Sequence, residues 1–149
     1  MKPEPVVADA LQQTLVDMIA LELQSKQAHW NIRGPRFRAL HLALDEVVDV
    51  AREQADVVAE RLAQIGGIPD GRPSTVDKTT TLEQIDFGLL EVDKTYQLMA
   101  EKIQTVSDKI KEAIDPVDEV CHVSGDILIG AASALDLKAW LLRSATEEA

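Results

Sequence analysis

The stretch from His41 to Glu60, HLALDEVVDVAREQADVVAE, constrains this chain more than any other. It contains no proline or glycine and is rich in helix-forming residues, so it predicts a long α-helix. At about 100° per residue, one side of that helix is apolar and indicates a buried face, with Leu44, Val47, Val50, Val57, Val58 and Leu62. The other side is a polar arc of His41, Asp45, Asp49, Arg52, Asp56 and Glu60.

The polar arc holds two pairs of potential metal ligands at i,i+4 spacing, His41 with Asp45 and Asp56 with Glu60. Side chains four residues apart lie about 6 Å apart on a helix, so each pair can face one ion. The midpoints of the two pairs are about 22 Å apart along the helix, whereas metal–ligand bonds are about 2 Å long. One chain therefore cannot bring both pairs to the same ion.

A second copy of this helix, running antiparallel across a two-fold axis, would join the two pairs. In one register His41 faces the partner's Glu60, Asp45 faces the partner's Asp56, and Asp49 faces the partner's Arg52. All three pairings are chemically complementary, and such an interface builds two identical sites. The alternative interpretation is a solvated charged face that binds no metal.

Composition excludes several classes of protein. With 149 residues, 46% hydrophobic but only 3% aromatic, the chain is expected to form one domain, residues 1–149, with an aliphatic helical core. No apolar run approaches about 20 residues, so no membrane span is expected, and the start MKPEPVVADA lacks the pattern of a signal peptide. The one cysteine, Cys121, fits a reducing cytoplasm and is expected to be a small helical residue rather than a reactive thiol.

The net charge of −11 makes nucleic acid and anionic membranes unfavourable partners. No basic arm offsets this charge, since the first ten residues hold one lysine and the chain ends in Glu147-Glu148-Ala149. Binding to DNA is therefore not expected, whereas an acidic protein is suited to attracting cations.

Hydrophobic periodicity and breaker residues predict four long helices. The first spans about residues 6–31, with Asp9 and Asp17 toward solvent and an inward face of Val7, Leu11, Leu15, Met18, either Leu21 or Glu22, and Ser25. The second spans about residues 36–65, and the third about residues 89–114. Pro116 is expected in the first turn of a fourth helix that continues to about Ser144, with Val120 and Val123 facing inward. A short helix is expected near residues 82–85 of the central connection. This order predicts an all-α, ferritin-like four-helix bundle with a long crossover.

An iron centre within one bundle needs two Glu-x-x-His pairs. This chain has one match, Glu119 to His122, so an intrachain centre of that type is rejected. His29 stands at the end of the first helix, before the Gly34-Pro35 turn, and His41 follows that turn. We interpret His29 as a further ligand of the His41 and Asp45 pair rather than as a structural histidine.

His29-Trp30-Asn31 with Gly34, followed by Phe37, Leu40-His41, Asp45, Asp56 and Ala59-Glu60-Arg61, resembles the Dps mini-ferritins, the DNA-protecting proteins of starved cells. The resemblance covers almost the whole chain, down to Gly125-Asp126-Ile127-Leu128-Ile129 and Trp140. It implies a ferroxidase centre between two subunits, with His29, His41 and Asp45 from one chain and Asp56 and Glu60 from its two-fold mate.

The same resemblance implies a hollow dodecamer that oxidises Fe(II), preferentially with hydrogen peroxide, stores ferric mineral and protects against oxidative damage. Trp30 resembles a family tryptophan that intercepts stray oxidising equivalents, although packing at the dimer contact is an alternative role. Zn²⁺ would compete for the same ligands. The alternative functions are a nucleoid-associated DNA-binding protein, disfavoured by charge and by the lack of basic tails, and a purely structural bundle.

A candidate iron pore is implied at the start of the fourth helix. In this family that helix lines acidic three-fold pores, which places Asp118, Glu119 and Asp126 at the pore. His122 falls on the same face and is not expected in a purely acidic funnel. Acidic residues near a helix N-terminus also complement the helix dipole without any pore.

Overall fold

The computed structural model describes residues 2–147, and four long helices dominate it. Helices α1 (Pro5–Asn31) and α2 (Phe37–Gln64) form one antiparallel pair, and α4 (Val92–Asp118) and α5 (His122–Ser144) form the other. A short helix, α3 (Pro73–Thr79), lies in the connection between the two pairs. Contacts of α1 with α4 and of α2 with α5 close the bundle, which confirms the predicted ferritin-like fold. No helix within residues 2–147 is both long enough and apolar enough to cross a membrane.

The apolar faces predicted for the helices meet in one hydrophobic core. On α1 the predicted positions Val7, Leu11, Leu15, Met18 and Leu21 are all buried. On α2 Val57 is exposed, because it lies at the edge of the apolar face beside Asp56. Val120 and Val123 are also exposed rather than inward, because Val120 lies in the turn between α4 and α5 and Val123 lies in the first turn of α5.

Asp17 was placed on the solvent side of α1 by periodicity, and this prediction is wrong. The side chain is 1% exposed and accepts hydrogen bonds from Thr81 N at 2.7 Å and from the hydroxyls of Thr80 and Thr81 at 2.8 Å. A buried carboxylate is tolerated when its oxygens are hydrogen-bonded in this way. Asp17 therefore fastens the crossover to α1.

Replacing Asp17 with alanine is expected to lower the free energy of unfolding by about 2–4 kcal/mol, because donors of Thr80 and Thr81 then lose their acceptor. Urea unfolding at a fixed protein concentration measures the change. The matched control is Asp9→Ala, which removes an exposed carboxylate from the same helix and should change stability by less than about 0.5 kcal/mol. Equal effects of the two substitutions would contradict this role.

The crossover, residues 65–91, is attached to the bundle at several further points. Ile85 N donates to Gln24 Oε1 at 3.2 Å, and the buried Lys102 ammonium donates to the carbonyl of Glu83. Two short strands, β1 (Ile32–Arg33) and β2 (Leu90–Glu91), pair in parallel and join the α1–α2 turn to the end of the crossover. These contacts hold a long connection in a single path.

The short crossover helix was predicted in the wrong place. It lies at Pro73–Thr79, where Pro73 occupies the first turn, a position at which proline favours helix initiation. Residues 82–85 are not helical. Leu82 and Ile85 have the three-residue spacing of a helix, but they lie in an irregular segment. Both side chains are buried in the core.

The corner between α4 and α5 also differs from the prediction. Pro116 does not begin a helix but lies inside α4, which continues to Asp118 and buries Val117. Proline has no N–H, so the carbonyl oxygen of Glu112, four residues earlier, lacks its helical hydrogen bond. Glu112 is exposed, so water can donate to this oxygen instead. At Gly125 an added Cβ would stand 2.6 Å from Asp118 Oδ1, so glycine permits α5 to begin against the end of α4.

Candidate metal centre

Two histidines face each other where α1 ends and α2 begins. His29 lies in the last turn of α1 and is 6% exposed, and His41 lies in the second turn of α2. The turn that joins the helices uses Gly34 at a positive φ of 125°, a conformation that glycine adopts without strain. It brings the two imidazole rings into a stack with centroids 3.5 Å apart and planes 17° apart. Phe37 stacks on the ring of His41 with a centroid distance of 4.9 Å.

Each histidine binds the backbone of the other through Nδ1. His29 Nδ1 lies 2.7 Å from the carbonyl oxygen of His41, and His41 Nδ1 lies 2.9 Å from the carbonyl oxygen of His29. A carbonyl oxygen only accepts hydrogen bonds, so Nδ1 is the donor nitrogen of each ring and Nε2 is the nitrogen left to bind a metal ion. Metal-binding histidines in proteins are usually oriented by such a second hydrogen bond. This arrangement is compatible with the predicted role of both histidines as nitrogen ligands.

Asp45 lies one turn beyond His41 on α2. Its Oδ1 lies 3.4 Å from His29 Nδ1 and 2.5 Å from the ammonium of Lys26 on α1. The hydrogen bond from Lys26 lowers the pKa of the Asp45 carboxyl. Asp45 is therefore ionised at neutral pH, as a metal ligand must be. The sequence analysis did not identify Lys26, although its position three residues before His29 puts both on one side of α1.

The second predicted pair is remote from these residues within one chain. Asp56 and Glu60 lie farther along α2, and both are exposed. Neither makes a hydrogen bond or ion pair with another side chain among residues 2–147. Within the same residues no three His, Cys, Asp or Glu side chains are placed to hold a metal ion. The two predicted ligand groups are therefore separate within one chain, and a centre shared between two chains stays a prediction.

Arg52 lies between the two predicted ligand groups on the polar arc of α2. Its guanidinium pairs with Glu22 of its own chain at 2.9 Å, and an open cleft between α1 and α2 includes Glu22, Asp49, Arg52 and Asp56. The pairing of Asp49 with the partner's Arg52 stays a prediction. The ion pair of Arg52 with Glu22 in the same chain competes with that pairing.

Trp30 follows His29 directly and points away from the bundle core, with 60% of its surface exposed. Leu23, seven residues earlier on the same side of α1, is equally exposed. Exposed apolar side chains that cluster in this way commonly mark an interaction surface. The position of Trp30 suits both roles given to it, oxidation beside the centre and packing against a partner.

The candidate pore residues are arranged differently from the prediction. Asp118 and Glu119 do not open the last helix: Asp118 ends α4 and Glu119 is its C-cap. His122 is the first residue of α5, and Asp126 lies one turn later. The ring of His122 lies 3.1 Å from the carboxylate of Asp118, so this histidine pairs with an acid from the preceding helix. Their assignment to a pore stays a prediction.

Cys121 was expected to be an ordinary small residue in a helix, and this expectation is wrong. It occupies the N-cap of α5, half-buried, with its Sγ 3.3 Å from Ser124 Oγ and 3.4 Å from the guanidinium of Arg61. Hydrogen bonds with Ser124, and then with Arg61, lower the pKa of the thiol to about 7. Arg61 is distant from Cys121 in the sequence, so no local motif could predict this environment of the thiol.

Alkylation of Cys121 by iodoacetamide is expected to reach half its maximal rate near pH 7, because the reactive thiolate forms as pH rises through the pKa. Ser124→Ala should raise that pKa and slow alkylation at pH 7 by about fivefold. Ser133→Ala, which changes an exposed serine on the same helix, is the control. A pH profile centred near the ordinary thiol pKa would contradict the prediction.

The chain has close counterparts among known proteins. A family model described as a ferritin-like domain matches residues 8–148. The DNA protection during starvation protein of Agrobacterium fabrum is 33% identical over 143 residues, which covers 95% of this chain and 88% of that protein. DNA protection during starvation protein 2 of Deinococcus radiodurans is 32% identical over 135 residues, covering 91% of this chain but 56% of that longer protein. The solved structure of Dps from Microbacterium arborescens in the high iron form superposes with a TM-score of 0.90 at 33% identity and covers 99% of both chains.

Proposed function

Because this chain belongs to the ferritin-like family and, within it, to the Dps mini-ferritins, we propose that it oxidises Fe(II) at centres shared between two chains and stores the ferric product. The observation that carries this proposal is the reciprocal bonding of His29 and His41. It leaves the Nε2 atoms of both rings as possible nitrogen ligands in the same region as an ionised Asp45. Imidazole and carboxylate are ligand types that suit iron.

The proposed centre contains His29, His41 and Asp45 of one chain with Asp56 and Glu60 of its two-fold mate. This small number of protein ligands leaves coordination positions on the iron open for a peroxide oxidant. Hydrogen peroxide takes one electron from each of two Fe(II) ions and, with two protons, yields two waters, so no one-electron oxygen radical is released. Trp30, next to His29, is placed to absorb oxidising equivalents that escape this reaction. Zn²⁺ is the proposed competitor for the same ligands.

The split site requires a homo-oligomer. A two-fold dimer completes the centres, and a closed shell is needed to keep ferric mineral in solution. Twelve chains is the assembly that the family resemblance implies. Iron would enter through pores that include Asp118, Glu119, His122 and Asp126, in a protein that works in the cytoplasm.

An anaerobic titration with Fe(II), followed by oxidant, tests the proposal. After peroxide is added, ferric absorbance should rise rapidly and should rise more slowly when dioxygen replaces peroxide. Size-exclusion chromatography should then show iron eluting with an assembly much larger than one chain. Ferric iron that precipitates without any association with the protein would refute the function.

Duplex DNA is expected to remain unbound by the assembled protein at physiological ionic strength. The charge of −11 per chain is repeated in every subunit, and phosphate repels it. Plasmid mobility in agarose, without divalent cations that could bridge carboxylates to phosphates, measures this directly. Retardation under these conditions would favour the DNA-binding alternative. Unchanged mobility would support protection against oxidative damage through the removal of iron and peroxide.

A further inference from the structure

An open cavity of about 800 Å³ lies between α1 and the crossover. Its volume and its mainly apolar walls are typical of small-molecule sites. The apolar walls are formed by Ile19, Leu23, Val76, Leu82, Ile85 and Phe87. None of these residues belongs to the proposed metal centre or to the candidate pore, so the proposed iron chemistry does not account for the cavity.

One buried amide in the cavity wall has a donor group that the chain does not use. Gln24 is 9% exposed and lines the cavity, and its Oε1 accepts a hydrogen bond from Ile85 N at 3.2 Å. A backbone N–H only donates, so this bond directs the amide oxygen to Ile85 and leaves the Nε2 hydrogens for another acceptor. Nε2 makes no hydrogen bond within residues 2–147, whereas buried polar groups are normally paired. A ligand carbonyl in the cavity would supply the missing acceptor.

The charged groups that line the cavity are negative. Asp77 and Asp86 both line it and are exposed, and neither forms an ion pair or a side-chain hydrogen bond within residues 2–147. No lysine or arginine among the described residues lines the cavity. The charge of Lys102 acts on Asp86, but its ammonium donates to the carbonyl of Glu83. A cationic head group is therefore favoured over an anionic one.

We propose that this cavity binds a single-chain amphiphile that carries a carbonyl between its apolar chain and a cationic head group. The chain lies against the apolar walls, the carbonyl accepts from Gln24 Nε2, and the cation faces Asp77 and Asp86. Phe87 is 98% exposed in the free protein, and a bound chain removes part of this aromatic surface from water. The inference is independent of the proposed iron oxidation.

Calorimetric titration of the assembled protein with dodecanoylcholine, kept below the concentration at which it forms micelles, tests the proposal. Binding should be saturable, with one molecule per chain. Dodecyltrimethylammonium has a similar chain and a cationic head but no carbonyl, and it should bind about three- to tenfold more weakly, the difference expected for one hydrogen bond. Dodecanoate, which has the chain and an anionic head, should also bind more weakly than dodecanoylcholine.

Two variants separate the hydrogen bond from the charge. Gln24→Glu keeps an oxygen for Ile85 N but removes the amide donor, so the preference for dodecanoylcholine over dodecyltrimethylammonium should disappear. The added negative charge acts on both cations alike and does not create a preference. Asp77→Asn with Asp86→Asn should weaken dodecanoylcholine binding by about threefold at low ionic strength and less in high salt.

The apolar contact is tested with Phe87→Ala, which should weaken dodecanoylcholine by at least about threefold because the chain loses an aromatic partner. The matched control is Leu89→Ala, which removes an exposed apolar side chain from the same crossover outside the cavity and should leave binding unchanged. Absent or non-saturable binding to the assembled protein would overturn the proposal. Equal effects of Phe87→Ala and Leu89→Ala would also overturn it, as would a carbonyl preference that persists in Gln24→Glu.

Discussion

Peroxide-dependent Fe(II) oxidation is expected to fall by more than about 100-fold when His41 and Asp45 are both replaced by alanine. The double substitution removes a nitrogen and an oxygen ligand from every centre, and loss even of residues that only support metal ligands typically costs 10–100-fold. It also removes the acceptor of Lys26 and the ring that stacks on His29. Initial rates of ferric absorbance, measured on assembled protein, give the effect.

The control for this variant is Glu46→Ala. Glu46 follows Asp45 on α2, is exposed, and pairs with Lys138 at 2.8 Å. It lies outside the polar arc, so the oxidation rate should stay within about twofold of wild type, as for surface substitutions away from a site. Retention of most activity in the His41 and Asp45 variant would remove these residues from the proposed centre.

Replacing Asp56 and Glu60 with alanine is expected to cause an equally large loss. Within one chain these carboxylates lie about 22 Å along α2 from the pair His41 and Asp45, and they make no hydrogen bond or ion pair with another side chain in residues 2–147. A site contained in one chain therefore predicts little effect. The shared site predicts a loss of more than about 100-fold, because every centre then lacks the two ligands supplied by the mate.

Charge alone must be separated from ligand loss in this second variant. Glu101→Ala with Asp108→Ala removes two exposed carboxylates from α4 and gives the same net charge. This control should oxidise iron at close to the wild-type rate. If the two variants lost activity to the same extent, a general loss of electrostatic attraction for Fe(II) would explain both results.

The sequence was sufficient to predict the bundle, and the placement of the proposed ligands along α2, because both depend on helical periodicity. The spacing of His41 with Asp45 and of Asp56 with Glu60 fixes their geometry wherever a straight helix forms. The length of α2 then separates the two pairs within one chain.

Several of the contacts that were missed involve residues distant in the chain. Asp17 looked solvent-facing because its partners lie in the crossover, more than 60 residues later. The thiol of Cys121 depends on Arg61 from another helix. Pro116 signalled a helix start by its local preference, but packing of Val117 into the core extends α4 past it. Tertiary contacts overrode local propensity in each case.

The central claim is that two chains build each centre, and mixing the two inactive variants tests it most directly. Chains carrying His41→Ala with Asp45→Ala and chains carrying Asp56→Ala with Glu60→Ala are unfolded, combined in equal amounts and reassembled. In a mixed dimer one centre collects all four substitutions and the other collects none. Random pairing makes about half of the dimers mixed, so about a quarter of wild-type oxidation should return. No recovery in assemblies shown by mass spectrometry to contain both variants would contradict the shared centre.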